Sequence, residues 1–308
     1  MENSNDDDEE EYTTEEIKDI TAANCPKKSF HSDYIDIKEF ALKHIPSGPF
    51  RTVDVHYCVL LMAQLTVLIR APHPKGTGFV QRVRRKTGCP CPCGDCRKNG
   101  QGGVSEWGVV TVSTVFHVIQ NQEDAGKSTA LLYNDGEGYS KKKIHGYRLL
   151  ETDKDVGQND WCAVEYVTHE KIVLDRLEND LREFEDLQGL LYSKYKRVVK
   201  DNLVVVVGHP HGRCKKVSVG TYVRRETLKD VRDRQNWCRY LYKGALTCEG
   251  SSGSPLLIPG QPICGFGYWF GHAHNHSKTV TLKSSHPTAG DLKSLSSVGV
   301  DHLLSQRV

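Results

Sequence analysis

The sequence predicts an antiparallel all-β fold carrying one helical insertion. Two observations predict it: many short runs of β-branched and aromatic residues bounded by Gly, Pro, Asn or Asp, and one long stretch whose apolar residues recur at helical spacing. The strand-like runs are 55–61, 65–69, 108–112, 161–166, 203–207, 217–219, 255–258 and 262–266. Leu174, Leu177, Leu181, Phe184, Leu187 and Leu191 recur every three or four residues among Glu, Asp, Arg and Lys, so this stretch reads as an amphipathic helix against the strands. A partner-binding or dimerising helix is the sharper alternative.

The chain has 308 residues, enough for a sizeable core, and balances 41 Lys and Arg against 39 Asp and Glu. A formal charge of +2 supplies no global field for nucleic acid, so partners must be argued from sites. Residues 1–30 read as an acidic, disordered tail because Asp6 to Glu11 form an unbroken acidic block, whereas Arg82, Arg84, Arg85 and Lys86 form a basic cluster. Neither a secretory signal nor a membrane-length apolar run is expected, so an intracellular, soluble chain is predicted, with no membrane partner. Eleven cysteines, an odd number, with four crowded between Cys89 and Cys96, favour free thiols over disulfides.

Gly250-Ser251-Ser252-Gly253-Ser254-Pro255 carries the strongest local chemistry. Glycines on both sides of Ser252 permit an unusual tight turn that presents the hydroxyl and exposes main-chain N–H groups, those of Gly250 and Ser252 being suited to an oxyanion hole. Such a turn alone is more often a plain loop. A serine nucleophile also needs a base and an orienting group. His117 ends an apolar run from Trp107, and Asp160 opens another at Trp161. Taken singly, that histidine reads as a core residue and that acid as a turn residue. Together the order is histidine, acid, serine, a known order for a nucleophilic triad.

Four stretches resemble the trypsin-like, chymotrypsin-fold serine peptidase superfamily, and within it the HtrA-like and glutamyl endopeptidase-like branch. They are Gly76-Thr77-Gly78-Phe79-Val80, the run from Thr111 to Ile119, Val206 to Gly212 together with Val217 to Gly220, and Gly250 to Leu256. The resemblance implies two antiparallel six-stranded β-barrels over 31–275, a Cys-rich insertion at 86–104, a helical insertion at 168–200 and a polar tail at 276–308. It implies Ser252 as nucleophile, His117 as general base, Asp160 as its orienting carboxylate, and Gly250 and Ser252 as oxyanion donors. Asp153 and Asp155 compete for the acid's role. Phe116 stands where the family usually has a small residue, and Ser251 where secreted trypsins have an aspartate, so activation by a newly cleaved N-terminus has no partner here.

The same resemblance places the substrate pocket at Leu246, Thr247 and Cys248 and at Cys264, Gly265, Phe266 and Gly267. No acid sits among them, so a preference for Lys or Arg is not expected. The reaction implied is hydrolysis of protein or peptide substrates through an acyl-enzyme, without a cofactor. One alternative is an inactive pseudoprotease acting as a peptide-binding or scaffolding module; another is a zinc-dependent interaction protein. Zinc has one sequence candidate, Cys89, Cys91, Cys93 and Cys96, where Cys93-x-x-Cys96 has the spacing of half a site and a distant residue such as His73 could complete it. His272, His274 and His276 alternate as strand residues would and form a weaker candidate.

Overall fold

The computed structural model describes residues 22–300 apart from 73–74, 94–95, 97–105, 137–140, 154–159, 199–202, 230–235, 262–271, 281–292 and 297–298. The predicted strand at 262–266, pocket positions Cys264, Gly265, Phe266 and Gly267, His73, Asp155 and the acidic block lie outside the described residues.

Six strands close into a barrel in the order β2-β3-β4-β7-β6-β5. They are β2 (Thr66–Arg70), β3 (Gly76–Lys86), β4 (Trp107–Thr114), β5 (Thr129–Leu132), β6 (Lys142–Asp153) and β7 (Trp161–Thr168). All residues of β4 and β7 are buried, which is why these strands read as continuous apolar runs rather than alternating ones. Their antiparallel register sets Thr114 opposite Cys162, so the chain leaving β4 and the chain entering β7 meet at one rim.

A second sheet has eight strands in the order β1-β9-β8-β11-β12-β13-β10-β14, and β10 pairs again with β9. Its strands are β1 (Ile35–Asp36), β8 (Leu203–Gly208), β9 (Lys216–Lys229), β10 (Asn236–Lys243), β11 (Pro255–Leu257), β12 (His272–Val280), β13 (Lys293–Ser296) and β14 (Gly299–Val300). The boundary expected at 275 falls inside β12, and pairing continues through β13 and β14. Main-chain pairing needs no apolar side chains, so a polar composition conceals such strands.

The run 55–61 is a correction. It belongs to helix α1 (Val53–Leu65), not to a strand. Thr52 caps the helix by accepting from Val55 N–H, and burial of Val55, Cys58, Val59, Leu61, Met62, Ala63 and Leu65 covers most of its circumference. Its less buried face carries Val53, Tyr57 and Leu60, so apolar residues lie all round the helix, its amphipathic period is weak, and its β-branched content was the stronger local signal.

A long helix stands where the leucine spacing places one. After the short α2 (Gln122–Lys127), α3 (Lys171–Tyr195) buries Leu174, Leu177, Leu181, Phe184 and Leu191 on α1 and the barrel. A Cβ at Gly108 of β4 would lie 2.3 Å from Leu174 Cδ2, so glycine there lets the helix sit down on the strand. The basic cluster is largely engaged by this packing. Arg85 meets Glu106, Asp175 and Glu178, while Arg84 meets the buried Glu165 of β7.

Candidate active site

At the barrel rim, His117 and Asp160 are joined twice. The main-chain N–H of His117 donates to Asp160 Oδ1 at 2.9 Å, and ring Nδ1 lies 2.5 Å from Oδ2. This follows from the pairing of β4 with β7, since His117 lies three residues beyond Thr114 and Asp160 two before Cys162. With Nδ1 donating to the carboxylate, Nε2 is left as the basic nitrogen. Both side chains keep partial access to solvent, 23% and 17% exposed.

Ser252 sits in the loop that enters β11 and is 4% exposed. Gly250 and Gly253 adopt φ of +85° and +87°, the left-handed region that glycine tolerates. Within this turn Ser251 N–H donates to Cys248 O, Ser254 N–H donates to Ser251 O, and Ser251 Oγ accepts from Cys248 N–H at 3.2 Å. The N–H groups of Gly250 and Ser252 reach no acceptor among the described residues.

Thr77 of β3 docks this loop onto the barrel. Its N–H donates to Ser252 O at 2.8 Å and its hydroxyl to Gly250 O at 2.7 Å, while its own carbonyl accepts from Thr114 Oγ1 at 2.7 Å. Gly253 is pinned at the same point, because a Cβ there would stand 2.0 Å from Thr77 O. Thr77 belonged to a sequence stretch singled out above, but its bonds depend on contacts across 173 residues and had no local signature.

The turn after β8 packs behind the same loop. Leu256 of β11 pairs with Val206 of β8, so the segments flanking these strands lie side by side. Glu249 O accepts from His211 N–H at 2.5 Å, and His211 itself has a left-handed φ of 56°. His209 is wholly buried, with Nδ1 2.9 Å from Arg213 O and its main-chain N–H on Thr77 Oγ1. Burial, then the Lys215 ammonium, pushes its pKa down to about 3, so the imidazole stays neutral. Lys215 is also fully buried, 2.8 Å from Asp135 and 2.5 Å from Ala63 O, and burial lowers its pKa against the pull of Asp135.

The chain from 109 to 280 matches the family model of the lysyl endopeptidase C-terminal domain, more than half of the 308 residues. The chain belongs to that family. It is therefore a member of the trypsin-like serine peptidase superfamily that its motifs resemble. The family match spans His117, Asp160 and Ser252, and it ends with the last residue of β12, Val280. Among solved structures the chain is similar to the Rv3671c protease in its inactive form, with TM-score 0.39 and 14% identity over 84% of this chain and 94% of that one. A further Rv3671c structure, from M. tuberculosis H37Rv, gives TM-score 0.40 and 13% identity over 85% and 94%. Deg5 gives TM-score 0.39 and 15% identity over 68% and 82%. A search of curated proteins returns no match.

Of the pocket positions, Leu246, Thr247 and Cys248 are buried immediately before the Ser252 turn, and Thr247 O accepts from Lys27 Nζ at 3.0 Å. Cys25 is buried against Cys248, so the described part of 1–30 reaches this loop. Burial pushes the Cys248 thiol up to about 12. The buried Tyr34 phenol is also raised, first by burial and then by Cys248.

Two groups of side chains have donor atoms all within 4.8 Å of one another: Cys25, His31, His211 and Cys248 near the Ser252 loop, and Cys91, Cys93, Cys96 and His169 beside the barrel. The second differs from the sequence candidate in its fourth member. Cys89 stands outside the group, its carbonyl accepting from Trp107 Nε1, and His169, just past β7, stands within it. Burial opposes ionisation of Cys93, but main-chain Cys96 N–H and the His169 ring bring its thiol down to about 7. The side chains of His272, His274 and His276 lie outside the described part of the structure.

Proposed function

We propose that this chain is a serine endopeptidase in which Ser252, His117 and Asp160 act together. The observation that carries the reading is the doubly bonded His117–Asp160 pair on the rim to which Thr77 docks the Ser252 turn. Ser252 Oγ attacks the scissile carbonyl carbon while His117 Nε2 takes the hydroxyl proton. Asp160 holds the ring through Nδ1 and stabilises the imidazolium that forms. The negative charge that develops on the carbonyl oxygen is met by the N–H groups of Gly250 and Ser252, neither of which reaches an acceptor among the described residues. Collapse expels the amine, which leaves with the proton from His117, and the ester on Ser252 is then hydrolysed by a water that His117 deprotonates.

The second six-stranded barrel belongs to the same proposal. In support, β8, β9, β10, β13, β12 and β11 are each paired with the next, and β11 returns to β8. A lysyl preference does not form part of it, because Leu246, Thr247 and Cys248 bring no carboxylate to the pocket.

A fluorophosphonate probe on the full chain tests the reading. Labelling at Ser252 that is abolished in Ser252→Ala and slowed in His117→Ala is the expected result. A folded wild-type chain that takes no label under the same conditions overturns it in favour of a scaffolding module that retains the barrel.

A further inference from the structure

We propose that Cys25, His31, His211 and Cys248 bind a zinc ion that staples the N-terminal segment to the loop carrying Ser252. No local spacing announces this group, because its members come from a short 3₁₀ segment (Lys28–Asp33) and its approach, the turn after β8, and the loop before β11. Three separations define it. Cys25 Sγ lies 3.7 Å from Cys248 Sγ, Cys248 Sγ 3.5 Å from His31 Nε2, and His31 Nε2 3.4 Å from His211 Nε2.

These three separations match edges of a tetrahedron around zinc, and the remaining ones lie within 4.8 Å. With Zn–S of about 2.3 Å and Zn–N of about 2.0–2.1 Å, tetrahedral edges come to about 3.8 Å for S–S, about 3.6 Å for S–N and about 3.3–3.4 Å for N–N. The agreement covers each edge type. Two imidazole nitrogens at 3.4 Å cannot both offer a lone pair to the other, whereas a cation accepts both together with two sulfurs. Two thiolates and Zn²⁺ form a neutral unit, so neighbouring Lys27, Lys28 and Arg213 do not oppose it. Binding releases the two thiol protons to solvent.

The surroundings fit a built site. Cys25 and Cys248 are buried, and the two histidines are half-buried with tilted rings 5.1 Å apart. The left-handed backbone at His211 turns its ring to the group while its N–H holds Glu249 O. Four protein ligands fill the coordination sphere, so the role is structural. The ion would fix the loop from Cys248 to Ser252 against residues that lie outside both sheets.

We propose a second zinc site, on independent observations, at Cys91, Cys93, Cys96 and His169. Cys93 Sγ and Cys96 Sγ lie 3.6 Å and 3.3 Å from His169 Nε2, and Cys91 and Cys93 sulfurs accept from the N–H groups of Cys93 and Cys96. Main-chain donors on sulfur are the outer contacts a thiolate ligand uses.

Metal analysis of the full-length chain, purified without an affinity metal, tests both. Two zinc ions per chain are expected, with one lost in Cys25→Ser, the other in Cys93→Ser and both in the double variant. Unchanged zinc in Cys25→Ser overturns the first site, and unchanged zinc in Cys93→Ser the second. A Cys25–Cys248 disulfide in a non-reducing peptide map also overturns the first. Should Cys25→Ser fail to fold, His31→Cys keeps four ligands, and its Co²⁺-loaded form should gain thiolate charge-transfer absorption over the wild type; an unchanged spectrum overturns the site. Ser252→Ala should carry the same metal as the wild type, so the result does not depend on peptidase activity.

Discussion

The main-chain N–H of Thr77 donates a 2.8 Å hydrogen bond to the carbonyl oxygen of Ser252. The Thr77 hydroxyl meanwhile donates to Gly250 O and accepts from His209 N–H, so one barrel residue fixes the serine turn and the turn behind it. Thr77 is fully buried, and nothing else at that point can take over these bonds from solvent.

Thr77→Val removes the hydroxyl and keeps the shape. Leaving the buried carbonyl and N–H without partners should cost about 1–3 kcal/mol. Urea unfolding measures that loss. Because the lost bonds orient the Ser252 turn, probe labelling under fully native conditions should also slow.

Asp160→Asn should leave the fold intact and slow probe labelling at Ser252 by about 10⁴-fold, since an amide neither fixes the His117 tautomer nor stabilises the imidazolium. Labelling rates alongside a circular dichroism melt distinguish this from unfolding. An unaltered rate would remove Asp160 from the proposed role.

Gly108→Ala drives a methyl group into Leu174 at the α3 contact. Overpacking of this kind should destabilise the chain by about 1–3 kcal/mol. Gly108→Ala with Leu174→Ala should recover part of the loss, as read from denaturation midpoints.

Lys215→Met leaves Asp135 beside a buried site without its cation. A loss of about 3–5 kcal/mol is expected, with recovery when Asp135→Asn is added. A double-mutant cycle by urea unfolding measures the coupling.

Asp180, on α3, has its carboxyl pKa raised by burial against the pull of Arg176, and its Oδ2 has no hydrogen-bond partner among the described residues. A raised folded pKa stabilises the protonated form, so the contribution is complete below the ordinary value of 3.8 and is lost as pH rises through the folded value. Asp180→Asn should therefore be more stable than the wild type at neutral pH, with the difference closing towards pH 3. Melting temperatures across pH 3–7 check the sign.

Much of this was legible in short windows. Leu174, Leu177 and Leu181 show α3 because a helix repeats its buried face every three or four residues, and 203–207 shows a strand because β8 is buried on both faces. Where burial surrounds an element, the window misleads. Val55 and Val59 suggested a strand, yet they belong to α1, whose exposed face is apolar too and so hides the helical period. Strands β12 to β14 were concealed by polar composition.

By itself the sequence determined the family's motifs, the order of histidine, acid and serine, and the glycines that allow the Ser252 turn. These are properties of residue type and local spacing. Only the tertiary structure decided that the Asp160 carboxylate meets His117, that Thr77 holds Ser252, and that Cys25 and His31 meet His211 and Cys248. The first depends on the register of β4 against β7. The last depends on contacts between residues 180 to 223 positions apart, closed by the N-terminal segment packing on loops of the second sheet rather than by any repeat along the chain.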